Sequence, residues 1–389
     1  MQQVQKILKE HTMKIVLVLV FIFFTIITPN GQMFDASSFD SLIKQNAYVY
    51  ILAIGMLMCM LIKGNIDLSV GSAVFFVDAI GAILMKKMDV PVWIAMLVMV
   101  LVGLAIGALI GWVVAFINIP PWIVTLAGYL AFRGWATALT DGQTIGGIPE
   151  GFTKLFAGYV PDIFGNPTCN ITCIIIGIIS CIAYIVIQVI SRNNKVKKGY
   201  EVEKLSALII KSVIITAVIM LFAYKLATNN GKGIPFYLIW VVVVALIYNF
   251  ILSKTTLGRV FYAMGGNVEA TRLSGINTKL ILFFAYLNMQ FLTVIAAWMA
   301  MTRFTSASSK LGLYFEMDAI SACIVGGVSA YGGSGTVFGA IIGATLIGVI
   351  NLGMSLVNLD NNWQKVVKGL VLLIAVVFEI FNNRKKTKA

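Results

Sequence analysis

A chain of 389 residues that is 59% hydrophobic and only 12% charged, with a mean hydropathy of +0.93, carries too much apolar side chain for a soluble enzyme. It reads as an all-α polytopic membrane protein of about 10–12 helices, since each crossing takes about 20 residues plus a connection. The net charge of +13 needs no nucleic acid, because 16 of the 29 cations fall in four short segments: 6–14, 192–204, 254–279 and 384–388. That clustering is the positive-inside pattern, which places all four segments on the cytoplasmic face.

Helices are the default because lipid offers the backbone no hydrogen-bond partner. In chain order the candidate spans are 14–29, 44–62, 66–85, 90–117, 122–140, 170–191, 205–227, 234–252, 280–301, 316–330, 336–357 and 365–381. The apolar run 15–27 resembles a signal-peptide core, but no small-residue cleavage site follows in Thr28-Pro29-Asn30-Gly31, so it is read as a retained first span. Twelve crossings put both the N-terminal segment 1–13 and the basic tail 383–389 in the cytoplasm, around a transmembrane domain 14–382. An extra helix pair falls around 192–233, as two full spans or a peripheral hairpin. Span 66–85 carries Asp67, Ser69 and Asp78, and span 316–330 carries Glu316 and Asp318. Both are too polar to face lipid and are expected as broken helices near the centre of the bundle.

Glycine recurs at spacing four, as in Gly103/Gly107/Gly111 and Gly335/Gly339/Gly343, which lets helix backbones approach closely. A weak internal repeat is also present. An apolar span leads into Gly64-Asn65-Ile66-Asp67-Leu68-Ser69-Val70-Gly71-Ser72, and a later one leads into Gly332-Gly333-Ser334-Gly335-Thr336. Broken helices in corresponding halves point to a transporter, with both breaks on the cytoplasmic side. Asn65, Asp67, Ser69, Gly71, Gly332, Gly333 and Ser334 are therefore the candidate translocation path or gate. Asp67 reads equally as a cap on the short helix that follows. Arg133, alone in an apolar run, needs a partner such as Asp78, Asp141 or Glu316, and an internal ion pair is expected. Glu316 and Asp318 are expected at the extracytoplasmic mouth, where they dock a binding protein or cap a span.

The hydrophilic stretch 253–279 contains a short helix with both ends marked. Asn267 suits the N-cap, Glu269 suits the positive first turn, and Gly275 suits the left-handed stop. Two turns are marginal alone, so either a solvated loop or a docking helix for a cytoplasmic partner is implied. His11 is the single histidine, and Cys59, Cys169, Cys173, Cys181 and Cys323 have no metal or disulfide spacing. The seven Trp and thirteen Tyr are scattered, with Trp93, Trp122, Trp240 and Trp363 near span ends as in an interfacial belt.

At this point the residues resemble a known family. Gly258-Arg259, then Tyr262-Ala263-Met264-Gly265-Gly266-Asn267, Glu269-Ala270 and Arg272-Leu273-Ser274-Gly275-Ile276, are similar to the coupling loop of permease subunits of bacterial ABC importers for monosaccharides. Three ordered matches accompany it: Gly64 to Ser72; Ile123-Val124-Thr125-Leu126-Ala127-Gly128 with Ala131-Phe132-Arg133-Gly134; and Asp318-Ala319-Ile320 with Gly326-Gly327 and Gly332 to Thr336. The resemblance covers about 44–382 and is strongest to the xylose and multiple-monosaccharide permeases. It implies a homodimeric channel, two copies of a sugar-specific ATPase, and a periplasmic or lipid-anchored sugar-binding protein. Gly265, Gly266, Asn267, Glu269, Arg272, Leu273, Ser274 and Gly275 would then couple the channel to the ATPase. The chain itself has no Gly-x4-Gly-Lys-Ser/Thr phosphate loop, so no cofactor is expected in it and ATP is left to the partner subunit. The rivals are a gradient-driven secondary transporter using Asp67, Asp78 or Glu316, and a membrane-bound enzyme, for which no nucleophile–base pair is evident.

Overall fold

The structure, a computed structural model, describes residues 2–200, 202 and 205–387. Fifteen α-helices follow one another: α1 (Gln2–Ile27), α2 (Ala36–Leu61), α3 (Val70–Lys86), α4 (Val92–Trp112), α5 (Pro121–Leu139), α6 (Glu150–Ala157), α7 (Ile171–Lys197), α8 (Leu205–Ala227), α9 (Phe236–Lys254), α10 (Thr256–Gly266), α11 (Val268–Leu273), α12 (Thr278–Phe304), α13 (Phe315–Val325), α14 (Val337–Leu356) and α15 (Asn361–Thr387). A two-residue clasp of β1 (Ile145–Gly146) on β2 (Ser306–Ala307) ties two loops together, and among the described residues it is the one sheet. Among the described residues, seven helices are long and apolar enough to cross a membrane: α2, α4 with its π-helical extension to Ile117, α7, α8, α9, α12 and α14.

α2 is the axis of the bundle. Val49, Ile51, Leu52, Ala53, Ile54, Met56 and Leu57 have no accessible surface, as expected of a helix that is apolar all round and covered on every side. The glycine spacing has the packing role expected of it. Gly103, Gly107 and Gly111 of α4 lie on Val294, Leu287 and Phe283 of α12, so the seam climbs one helix as it descends the other.

Two crossings are only half helical. Residues 62–69 turn back into the bundle without regular structure before α3 begins at Val70. Residues 308–314 do the same from the opposite end before α13, whose eleven residues cover about 16 Å, half of a ~30 Å hydrocarbon core. Irregular backbone at that depth is tolerated where it is buried in protein, as at Asp67, Ser69, Leu311 and Gly312, or where it lines a cavity, as at the exposed Lys310 and Tyr314. The range 192–233 read as an extra helix pair holds one whole helix, α8 of 23 residues, and the end of the 27-residue α7, and these two pack as a hairpin. Its buried members, such as Cys173, Ala223 and Leu226, sit at the end farthest from the turn at 198–199, so the hairpin is two full-length helices held at one end.

The loop before α7 is held by Asp162, which accepts from the N–H groups of Thr172, Asn166 and Phe164 and from the Thr172 hydroxyl. Desolvation pushes this carboxyl up, but the donors outweigh it and bring it down to about 2. A lowered folded value means the tether is in place above the unfolded value of about 3.9 and is lost as pH falls from there towards 2. Pepsin cutting at the exposed Ile163 and Phe164 is therefore expected to accelerate over that interval in the natural chain. Asp162→Asn should be cut quickly throughout, and equal rates for the two chains near pH 4 would remove Asp162 as the tether.

Candidate functional site

The hydrophilic stretch folds as expected from its caps. Asn267 takes an extended conformation between α10 and α11, and its Oδ1 accepts from the N–H of Ala270 at 3.0 Å. Gly275, at φ +86°, ends the turn, with its N–H on the Arg272 carbonyl at 3.0 Å. Glu269 and Arg272 pair with each other in water, an arrangement worth at most about 1 kcal/mol, so both side chains are available to a partner. Leu273 is 79% exposed beside them. A groove of about 490 Å³ runs under α11 and includes Asn65, Lys63, Asn118 and Lys279.

What fixes α10 in place is a junction of three backbones. The two breaks of the repeat meet each other, with Gly332 lying against Lys63 and the Gly333 N–H donating to the Leu61 carbonyl at 3.0 Å. Gly64, at φ +67°, presses on the Ala330 carbonyl. Gly265 of α10 then seats on both, so close that a Cβ would overlap the Leu61 carbonyl and the Gly333 amide. The Tyr262 hydroxyl completes the contact by donating to the Gly335 carbonyl at 2.8 Å. Ser334 is exposed at the edge, and its carbonyl accepts from the Ser329 N–H at 2.9 Å. Gly266, by contrast, has open space around it.

A second junction lies deeper. Asp67 accepts from the Ser69 N–H at 2.9 Å, the Ser69 hydroxyl at 2.6 Å and the Gln290 amide at 2.8 Å, and none of the three residues has accessible surface. Met289, next to Gln290, packs on Gly55, six residues before Leu61, which sets this cluster about 9 Å inside the coupling end. Gly71 touches Gly312 and the Glu316 carboxylate, so the first turns of α3 and α13 abut head to head. The helices then run toward opposite ends of the bundle.

Three expectations differ from this geometry. Arg133 does not pair with Asp78 or Glu316: its guanidinium donates to the Ser309 carbonyl at 2.7 Å, the Leu311 carbonyl at 3.2 Å and the Ser72 hydroxyl at 3.3 Å. The reason is that 308–314 is irregular backbone inside the bundle and its carbonyls need donors, which a planar guanidinium supplies several at a time. Asp78 is buried on α3, with neither carboxylate oxygen hydrogen-bonded to a described residue. Glu316 and Asp318 are both only 3% exposed rather than at a surface mouth, and Asp318 pairs with Lys368 at 3.0 Å. Of the basic residues, Lys195 and Lys197 lie in the last turn of α7 with Lys198 just after it, Lys254 ends α9, Lys279 lies in the first turn of α12, and α15 ends among Arg384, Lys385 and Lys386; Lys388 lies outside the described residues.

Several partners were not read from sequence. Gln290 carried a usable signal, since a lone amide inside an apolar span needs a mate. Gly312, Tyr262 and the carbonyls of Leu61, Ser309 and Leu311 carried none, because their roles come from backbone atoms of distant segments.

No solved structure matches the chain. Among known proteins it is 36% identical to a xylose transport system permease protein of Haemophilus influenzae over 381 residues, which is 97% of this chain and 98% of the relative. It is 33% identical to the xylose transport system permease protein of Escherichia coli K12 over 97% of this chain and 93% of that one. A ribose import permease protein of Haemophilus influenzae is 29% identical over 99% and 97%. The family model described as branched-chain amino acid transport system / permease component matches residues 38–376. With a model covering most of its length and full-length relatives above 30% identity, the chain belongs to this family of multi-pass transport permeases.

Proposed function

We propose that this chain is the membrane-spanning permease subunit of an ATP-driven importer and forms the translocation path for a monosaccharide such as xylose, galactose, glucose or arabinose. An extracytoplasmic binding protein delivers the sugar, a sugar-specific ATPase docks on α10 and α11, and two copies of the chain line the path. The observation that carries the reading is the seating of Gly265 on both breaks. A push on the coupling loop is transmitted by backbone contact to the two places where the spans are broken, and a rigid junction with two arrangements is what such a switch requires. The sugar class follows from the names of the full-length relatives, which are xylose and ribose permeases. The path follows the two breaks, past Asn65, Ser69, Gly71 and Gly332 to Ser334. Of the two roles open to Asp67, enclosure favours the cap. Membrane lipid covers the exposed apolar faces of α7 and α8.

Uptake of labelled D-xylose, D-ribose and D-galactose into vesicles carrying the chain with its ATPase and binding protein tests the energy source. Uptake of at least one sugar that survives an uncoupler and stops on ATP depletion is expected, and the reverse pattern would sink the reading in favour of a gradient-driven carrier. Charge reversal at Glu269 or Arg272 is expected to leave insertion intact and to reduce ATPase co-purification roughly tenfold, the cost of losing one charged contact across an interface. Full complex yield and uptake in both variants would remove α11 from coupling.

A further inference from the structure

Near the end opposite the coupling loop, a cavity of about 900 Å³ opens between α2, α13, α14 and α15. It exists because α13 starts at Phe315, deep in the bundle, so the irregular segment before it leaves the space above Tyr48 unfilled by helix. Its floor is polar and fixed. Asp318, 3% exposed, pairs with Lys368 at 3.0 Å and also faces the Tyr48 hydroxyl at 3.4 Å. The Tyr48 ring is stacked on Phe315 at 3.7 Å between centroids, which locks its orientation. Ser321, one turn further along α13, adds a buried hydroxyl. Phe304 and Tyr314 present partly exposed rings on the wall, and the Gln364 side chain lies at the mouth. The aromatic side chains that look scattered along the chain thus converge with charged and hydroxyl groups from three distant segments.

We propose that this cavity is a binding station for one neutral monosaccharide in its ring form; the proposal rests on the importer reading and adds to it where the sugar pauses. The recognition chemistry is specific to that class. A carboxylate only accepts and an ammonium only donates, so the Asp318–Lys368 pair meets hydroxyl groups, which do both, without either charge being displaced. At the floor, a ligand group with a net charge would have to break the pair and leave one ion buried without its mate, which is costly; Lys310, Asp360 and Lys365 also line the cavity, at exposed positions away from that pair. The rings supply the flat apolar surface that the C–H face of a pyranose or furanose covers. The volume falls within the range of small-molecule sites and leaves room for water around one sugar.

The test uses the full chain in nanodiscs with Gln364→Cys, a half-buried position in the first turn of α15 whose replacement gives up one hydrogen bond, to the Leu359 carbonyl, and leaves the core side chains in place. Modification by a membrane-impermeant thiol reagent is followed by the mass of the peptide that carries it, which separates it from the five natural cysteines. D-Xylose is expected to slow modification, and betaine at equal osmolality is not. In Tyr48→Leu, and separately in Asp318→Asn, the concentration giving half protection should rise roughly tenfold, the loss of one hydrogen bond to a charged group. No protection by D-xylose, D-ribose or D-galactose, or equal protection by betaine, overturns the site. The same chain is assayed for ATP-driven uptake with its partners, which keeps the two readings apart. Uptake without protection removes the station and leaves the importer; protection without ATP-driven uptake keeps the station and removes the importer.

Discussion

A chain carrying Gly265→Ala is expected to insert in normal amount and to lose nearly all ATP-driven uptake, whereas Gly266→Ala, one residue later in the same motif, is expected to transport normally. A methyl group at 265 would overlap the Leu61 carbonyl and the Gly333 amide, both backbone atoms that cannot rotate away. To admit it, α10 must lift off the breaks, which exposes the Leu61–Gly333 hydrogen bond and releases Tyr262 from Gly335. Overpacking of this kind costs about 3 kcal/mol, which is roughly a hundredfold in the fraction of chains with the junction closed. At 266 the added methyl meets nothing within 4 Å. The bundle core around α2 is untouched in both chains, so insertion is a fair control. Vesicle uptake, normalised to the amount of chain in the membrane, gives the answer. Equal uptake by both variants would mean that the close seating of α10 does not transmit the ATPase stroke.

The contrast between 265 and 266 also marks where sequence stops being informative. The pattern Gly265-Gly266-Asn267 places a helix boundary, and the boundary is there, because N-cap chemistry depends on residues three apart. Which of the two glycines is needed for close approach depends on Leu61 and Gly333, some 200 and 70 positions away, and nothing local reports it. The half-helices were legible only as polar content in short spans: Asp67 and Glu316 announced that something inside the bundle was irregular. That α3 and α13 abut at Gly71 and Gly312 was not, since Gly312 has no side chain to advertise its role. Arg133 is the instructive miss. An isolated cation in an apolar run prompts a search for an acid, yet the partners are carbonyls of residues 309 and 311, exposed as acceptors only because that segment is not helical. The cavity over Tyr48 was hidden for a related reason, as its walls come from residues 48, 304–321, 347 and 360–372, and no window of sequence contains them.

Asp67→Ala is expected to destabilise the folded chain by about 3 kcal/mol, the cost of leaving several buried donors without an acceptor, while Asp67→Asn is expected to be tolerated. The carboxylate serves the Ser69 N–H and hydroxyl through Oδ1 and the Gln290 amide through Oδ2, all without accessible surface. Alanine orphans both Ser69 donors at the start of α3 and leaves the Gln290 amide with the Ser69 hydroxyl oxygen alone, at 3.2 Å. The asparagine side chain keeps the Oδ1 acceptor for Ser69 and presents an NH2 group to Gln290, whose own Oε1 lacks a hydrogen-bond partner. A flip of the Gln290 amide turns that oxygen toward the new donor and restores the ring of bonds with the charge removed. Gln290→Leu should cost less than Asp67→Ala, about 2 kcal/mol, because Asp67 retains both Ser69 donors. Combined with Asp67→Ala it should add less than its single-variant cost, since the Asp67–Gln290 bond is already lost. Thermal unfolding of the purified chains in nanodiscs measures all four, and uptake by Asp67→Asn decides the role. A cap tolerates the neutral isostere and transport continues. If Asp67→Asn unfolds like the natural chain and yet fails to transport, the charge itself is used, and Asp67 belongs to the gate.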